Sequence, residues 1–306
     1  VAAAGEWRVA ETPELKRVSD YRYVGRPVAR VDLEDKVVGA PIFGLDAEMP
    51  DMLHASVVRP EQIGALIASV DAGRAEGMPG VVRVVVEDDL VGVVAESFTQ
   101  ADRARQALEV EWSVERSWEQ ADIREMTRVG RGTPYVIQKA GDVERAFEWG
   151  EVVEAEYDSP IGAHAQVEPG VALAHVTDDG AVVQVSTQVV ELTRREVAEA
   201  LGISKKKVDI QPTFLGGGFG RRLHTPIAAE AARLSAAVGR PVKLVNSRKQ
   251  EFQRDTFRPP THHLLRATLS DDGGIESIEH NVSSGAVAVG SPLYPPAVAA
   301  LIGADI

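Results

Sequence analysis

Cysteine is absent from all 306 residues. That absence excludes disulfides, thiolate zinc sites, iron–sulfur ligation and a cysteine nucleophile. It leaves the redox compartment open. Long apolar runs are missing too: no 18 consecutive apolar residues occur, so no segment reads as a bilayer-spanning helix. The opening, VAAAGEWRVAETPELK, has no basic stretch before an apolar core and does not read as a signal peptide. Positive charge is in deficit. Lys plus Arg number 33 against 46 Asp plus Glu, a net charge of −13. That balance argues against a nucleic-acid partner and against electrostatic attachment to an anionic membrane. There is no internal repeat, no low-complexity tract and no H-E-x-x-H. His164 and Glu168 stand four apart without that motif, and the seven histidines form no ligand spacing.

What is present reads as a globular α+β protein. Apolar residues make up 44% and charged residues 26%, and the length suffices for two domains. Residues 1–23 read as an extended lead-in and 24–113 as a compact α+β unit. Residues 114–150 read as a connector with one helix around DVERAFEWG, and 151–306 as a second unit. HASVVR, ALIASVD, VVRVVV and VGVVAE have the β-branched content of strands. TQADRARQALEVEW predicts a helix with Thr99 as N-cap, running into a further strand. In the second unit VVEAEYDSP, VALAHV, AVVQVSTQ and KVDIQPTFL read as strands. ELTRREVAEALGI predicts a helix with Thr193 and Glu196 at capping-box spacing and Gly202 at its end. The clearest helix begins after Thr225 with Pro226 at its first position. It puts Ile227, Ala231, Leu234 and Val238 on one face and ends at Gly239. PVKLVNS reads as a strand, and HHLLRATLS, DDGG and IESIEHNV form a hairpin pattern. Both termini read either as cuts from something longer or as floppy natural ends.

Between KVDIQPTFL and the Thr225 helix lies LGGGFGRRLHTP. Gly216, Gly217, Gly218 and Gly220 surround Phe219, and Arg221 and Arg222 follow. A strand-to-helix loop of this kind exposes unpaired main-chain N–H groups, a ready site for an anion or an oxo group. It is no phosphate loop, because the Lys-[Ser/Thr] pair is missing. It is no dinucleotide fingerprint, because Arg221 stands where the third glycine belongs. The plain alternative is a tight turn that packs a helix on a sheet.

The loop resembles the glycine loop of the molybdenum-containing subunit of the xanthine oxidase family. Its arginine pair resembles the branch of isoquinoline 1-oxidoreductase β subunits and aldehyde-oxidising relatives. Four further stretches resemble that family in the same order. They are VGRPVARVDLEDKVVGAPIFGLD with MLHASVVRP, HAQVEPGVALAHV, STQVVELTRREVAEALGI, and GRPVKLVNSRKQEFQRDTFRPP. The likeness spans about residues 24–285. It implies an α/β-hammerhead-like domain over 24–113, followed by the first part of a molybdenum-cofactor-binding α+β domain. It implies an oxidoreductase that oxidises an aldehyde or N-heterocycle with water as the oxygen source, and a molybdenum–pterin cofactor in its cytosine dinucleotide form.

By the same resemblance Gln188 and the 216–222 loop contact that cofactor, with no direct metal ligand from the protein. Gln188 donates an uncharged amide N–H to an oxo ligand, or is a polar strand-end residue. Val190 stands where the family often has proline. Phe219 walls the substrate site, or is a core residue. Leu223, where purine oxidisers carry a glutamate, argues for an aldehyde or an apolar heterocycle. Arg258 faces substrate, or makes a surface ion pair. Arg221 and Arg222 hold cofactor phosphates, or pair with neighbouring acids.

The family's catalytic glutamate segment has no match here and is expected beyond Ile306. The chain then reads as a middle fragment, inactive alone and empty of cofactor. Its partners are the rest of the large subunit and a separate iron–sulfur subunit. Export through a twin-arginine signal in the full-length protein leaves cytoplasm and periplasm both open. The competing reading is a non-catalytic interaction module that keeps the fold.

Overall fold

The valine-rich runs become strands of one mixed sheet. The computed structural model describes residues 14–134 and 136–285. Contacts divide the chain into Val1–Pro41 and Ile42–Ile306. In the first unit the described residues carry a 3-10 turn, Val18–Asp20, and helix α1 (Leu33–Val37). Arg30 and Lys36 both bond Asp32 beside that helix, and the guanidinium leads in holding its carboxyl well below the usual range.

The second unit holds β1 (Leu53–Val57), β2 (Leu66–Asp71), α2 (Gly73–Glu76), β3 (Val81–Val86), β4 (Val91–Ala95), α3 (Phe98–Arg105) and β5 (Glu109–Ser113). Next come α4 (Gln120–Met126), α5 (Val143–Trp149), β6 (Val152–Ser159), β7 (Val171–Thr177), β8 (Gly180–Val185), α6 (Val190–Leu201) and β9 (Val208–Pro212). The described part closes with α7 (Pro226–Val238), β10 (Val242–Val245), α8 (Arg248–Gln253), β11 (Thr261–Leu269) and β12 (Ile275–Ser284).

Seven strands form the main sheet in the order β3-β4-β1-β10-β7-β8-β9. β1–β10 and β8–β9 are parallel and the other pairs antiparallel. Strands from 53–95 and from 171–245 therefore share one sheet. Side-chain alternation feeds two cores. Val94 joins Leu53, Val57, Leu234 and Leu244 under α6 and α7. Val93, one residue back, joins Ala75 and Ala104 under α2 and α3. Ala228, Ala231 and Ala232 are fully buried on α7 and let it sit close to the sheet. β12-β11-β6 and β2-β5 are separate antiparallel sheets.

Three local readings need correction. Helix α3 starts at Phe98, and its N-cap is Ser97, whose Oγ accepts from Gln100 N–H at 3.4 Å. Thr99 lies inside the helix. Ser97→Ala should therefore cost about 1 kcal/mol and Thr99→Ala well under that, read by urea unfolding. The 114–150 stretch holds α4 as well as α5; α4 has no strong apolar period to announce it.

Thr193 also sits inside a helix, α6, and not at its cap. It is buried, and its hydroxyl pairs with Thr187 at 2.8 Å and Thr225 at 2.6 Å. Glu196 accepts from Thr225 N–H at 3.1 Å. The supposed capping box thus fastens the start of α7, where an acidic group also suits the helix dipole. Gly202 and Gly239 end their helices in the left-handed conformation, as the sequence indicates.

Candidate cofactor site

β9 is the edge strand of the main sheet, and the chain leaves it toward the glycine loop. Phe214 N–H donates to Ile42 O at 2.9 Å, and the Phe214 ring meets Phe43 with centroids 5.9 Å apart. Residues 215–220 are neither strand nor helix. A single 3-10 turn, Arg221–Leu223, then leads to α7. The loop has the expected strand-to-helix place.

Its path is set by the segment HAQVEPG. Glu168 N–H donates to Gly216 O at 3.0 Å, and Gly216 N–H returns to Glu168 Oε2 at 3.1 Å. Glu168 Oε1 accepts from Leu45 N–H at 3.1 Å. A Cβ at Gly216 would fall 2.3 Å from Glu168 Cβ, and one at Gly218 would fall 2.8 Å from Gln188 Cδ. Gly216 is thus demanded by close packing, whereas a methyl at Gly218 would have to displace the ends of the Leu215 and Gln188 side chains. Gly217 and Gly220 are demanded by conformation, with φ of +112° and +101°.

Gln188 braces the far end. Its Oε1 accepts from Gly220 N–H at 3.1 Å and Arg222 N–H at 3.2 Å. With Oε1 engaged twice, Nε2 is left as a donor without a partner among the described residues. The N–H groups of Gly217, Gly218 and Phe219 likewise have no partner among the described residues. Three consecutive main-chain donors of the glycine loop, and the Gln188 amide from the turn before α6, therefore have no partner among the described residues.

Buried acids hold this arrangement from behind. The Ser247–Gln250 capping box starts the short helix α8 and places Glu251 in the interior. Glu251 accepts from Gly170 N–H at 2.8 Å, Asn246 Nδ2 at 2.9 Å and Gln166 Nε2. Asp255 accepts from His164 N–H and lies 3.0 Å from His164 Nδ1. Arg221 Nε is also 3.0 Å from Asp255, close enough for an ion pair but out of line for a hydrogen bond. Arg222 is only 2% exposed and donates to Glu168 O at 2.9 Å. Burial pushes its guanidinium pKa down, while Glu251, Glu168 and Asp255 oppose the shift. Its Nε is buried without a partner among the described residues. Both arginines thus have internal partners.

Four non-glycine residues among those described have φ well above zero. Three of them, Ala165, Phe219 and Phe257, lie in these converging loops. Strain of this sort, on the order of 1–3 kcal/mol each, gathers where a loop is held for a purpose. Phe219 is 60% exposed, so it is not a core residue in this chain. Arg258 is exposed and shares a two-bond bridge with Gly162, two residues before His164. Its guanidinium makes no ion pair among the described residues. Leu223 is half-buried in the 3-10 turn.

The structure thus gathers Gln188, Gly216, Gly217, Gly218, Phe219, Gly220, Arg221 and Arg222, with Leu223 in the same turn. Arg258 joins through the Gly162 bridge. Sequence alone assigns no site role to Gln166, Glu168, Glu251 or Asp255. The available signal is an acid beside an apolar strand, as in EPGVALAHV, where a carboxylate has to find partners when buried. Among the described residues no cluster of His, Asp and Glu could hold a metal.

A mixed sheet thus carries at its edge a glycine loop with unpartnered main-chain donors among the described residues. The profile described as the molybdopterin cofactor-binding domain matches residues 129–303, more than half of the chain, and the chain belongs to that family. It is 32% identical over 308 residues to a protein of Gluconacetobacter polyoxogenes named membrane-bound aldehyde dehydrogenase [pyrroloquinoline-quinone], covering 93% of this chain and 40% of the relative. It is 33% identical to a nicotinate dehydrogenase subunit of Pseudomonas putida, covering 90% and 24%. It is 30% identical to the β subunit of isoquinoline 1-oxidoreductase of Brevundimonas diminuta, covering 88% and 36%. In fold it is similar to the aldehyde oxidoreductase of Desulfovibrio gigas, with a TM-score of 0.68 at 22% identity, covering 82% of this chain and 33% of that one. The chain spans well under half the length of these relatives.

Proposed function

We propose that the chain is part of a molybdenum hydroxylase subunit that oxidises an aldehyde or an N-heterocycle, with water as the oxygen source. The observation that carries this is the run of free N–H groups at Gly217, Gly218 and Phe219 beside the free amide of Gln188. The names of the relatives, aldehyde, nicotinate and isoquinoline oxidoreductases, support the substrate class.

When bound, a molybdenum–pterin group supplies the two-electron redox centre. The residues fit it: the loop offers main-chain donors without side chains, and Gln188 Nε2 adds a neutral donor. Arg221 and Arg222 serve by holding the loop through Asp255 and Glu168. Phe219, exposed at the loop crest, forms an aromatic wall for a flat substrate. Leu223 keeps that side apolar. Arg258, without an ion pair, is available to stabilise negative charge that develops on substrate.

The cofactor is the cytosine dinucleotide form. Residues 24–113 are an α/β-hammerhead-like region whose β1, β3 and β4 join the sheet of the following residues, 114–150 are a connector, and 151–306 are the first part of the cofactor domain. The catalytic base and the iron–sulfur clusters lie outside these residues, the clusters on a separate subunit.

Metal and nucleotide analysis of the complete native complex tests the proposal. Stoichiometric molybdenum, with cytidine monophosphate released on acid hydrolysis, is the expected result. A complex without molybdenum, or one carrying only a quinone like that in the name of one relative, would overturn it.

A further inference from the structure

The three-stranded sheet exposes large apolar side chains on one face. Its register sets nine residues in three rows on one face. Val153 pairs with Ala267 and that with Ile278. Ala155 pairs with Leu265 and that with His280. Tyr157 pairs with His263 and that with Val282. Alternation puts all nine on the same side, and the bulge after Thr268 lies outside them. None of the nine carries a carboxylate, an ammonium or a guanidinium. Yet Tyr157 is 60% exposed, Ile278 51% and Val282 46%.

The opposite face is the polar one, and its central strand is covered: His262 and Thr268 are buried, while Glu154 and Glu156 on the β6 edge stay exposed. Arg266 bonds Glu154 at 3.0 Å and Glu279 at 3.4 Å, and its guanidinium lies 4.4 Å over the Phe147 ring of α5. His262 is buried. It accepts from Val129 N–H at 3.0 Å and meets Glu156 at 2.7 Å. A half-wet antiparallel sheet puts its apolar face inward and its charged face to water. Here, among the described residues, the centre of the polar face is buried, whereas the apolar face leaves Val153, Tyr157, Ile278 and Val282 exposed.

We infer that the face made by Val153, Leu265, Ile278, Val282 and their neighbours is an internal interface, covered in the complete enzyme by another stretch of the same subunit polypeptide. This rests on the proposal that the chain is part of a larger subunit. The occupant is argued from length: the chain covers 40%, 24% and 36% of the three relatives described. Most of such a subunit is therefore available to cover the face. The chemistry of the covering surface follows from the grid. It must be apolar and without buried charge, since nothing here could neutralise one. His263 Nδ1 and His280 Nε2 are 2.9 Å apart, and His263 Nε2 meets Thr261 Oγ1 at 2.9 Å. Among the described residues His280 Nδ1 and the Tyr157 hydroxyl then lack a partner. The covering surface should bring a hydrogen-bonding group to each.

Hydroxyl-radical footprinting of the complete native complex tests this, each residue being compared with the same complex unfolded in urea. Coverage should suppress labelling of Val153, Tyr157, Ile278 and Val282 at least tenfold. Their exposures of 49%, 60%, 51% and 46% would by themselves give only about twofold. Labelling near twofold overturns the inference. Protection lost when copies of the subunit dissociate, or when detergent is added, overturns it in favour of a second copy or a lipid surface. Complete subunits carrying Ile278→Lys or Leu265→Lys should assemble in at least fivefold lower soluble yield, and Asn281→Lys on the other face should not. Normal assembly of both face variants overturns the inference too. Molybdenum measured in the same preparation keeps the two proposals apart: metal present with the face fully labelled sinks only this one.

Discussion

Gly216→Ala is expected to unseat the glycine loop. The new methyl carbon would lie 2.3 Å from Glu168 Cβ and 3.4 Å from Glu168 Cα, far inside contact distance. Glu168 has nowhere to retreat. Its main-chain N–H is bonded to Gly216 O, one carboxylate oxygen to Leu45 N–H and the other to Gly216 N–H. Relief requires breaking at least one of these bonds, each worth about 1 kcal/mol, besides an overpacking cost of about 1–3 kcal/mol. A loss of roughly 3 kcal/mol in urea unfolding is expected, with loss of cofactor from the complete enzyme. Gly220→Ala is the comparison. Its surroundings are open, the nearest atom being His164 Nε2 at 3.6 Å, but its φ is +101°. It should cost about 1–2 kcal/mol, the ordinary penalty of a side chain in that conformation. Equal costs for the two would show that Glu168 does not pin the loop.

Glu251→Ala is expected to do comparable damage from a greater distance. It strips the acceptor from Gly170 N–H, Asn246 Nδ2 and Gln166 Nε2, all buried. It also removes the negative charge that contributes most to sustaining the buried Arg222 guanidinium. Orphaned donors cost about 1–3 kcal/mol each, and uncompensated buried charge adds to that, so a total of roughly 3–5 kcal/mol is expected by thermal or urea unfolding. Glu251→Gln keeps one acceptor but turns an amide toward donors, and should recover only part of the loss. Glu61→Ala is the control. Its pair with Lys249 is exposed at both ends, 77% and 70%, and its loss should be barely measurable. A Glu251→Ala protein as stable as the Glu61→Ala protein would mean that the hub is not closed as described.

Much of the fold was legible because alternation and punctuation are local. The valine runs, the helix from Pro226 to Gly239 and the β11–β12 hairpin all follow from short-range rules. The site was legible only as a location. Four glycines around Phe219 mark a strand-to-helix loop with bare main chain, and the chemistry was suggested by resemblance. Thr193 and Glu196 show where local rules fail. Their spacing fits a capping box, but the tertiary fold brings Thr225 within reach, and a partner 29 to 32 residues away wins.

By itself, then, the sequence determined the absence of thiol chemistry, the strand and helix pattern, and the position of the glycine loop. Only the tertiary structure decided that Gly216 and Gly218 answer to Glu168 and Gln188, and that both arginines turn inward. It also decided that, among the described residues, the three-stranded sheet leaves large apolar side chains exposed on one face. The physical reason is the same in each case. Propensity and alternation act between neighbours in the chain, whereas the partners of a buried carboxylate or of a sheet face are chosen by what folding brings together.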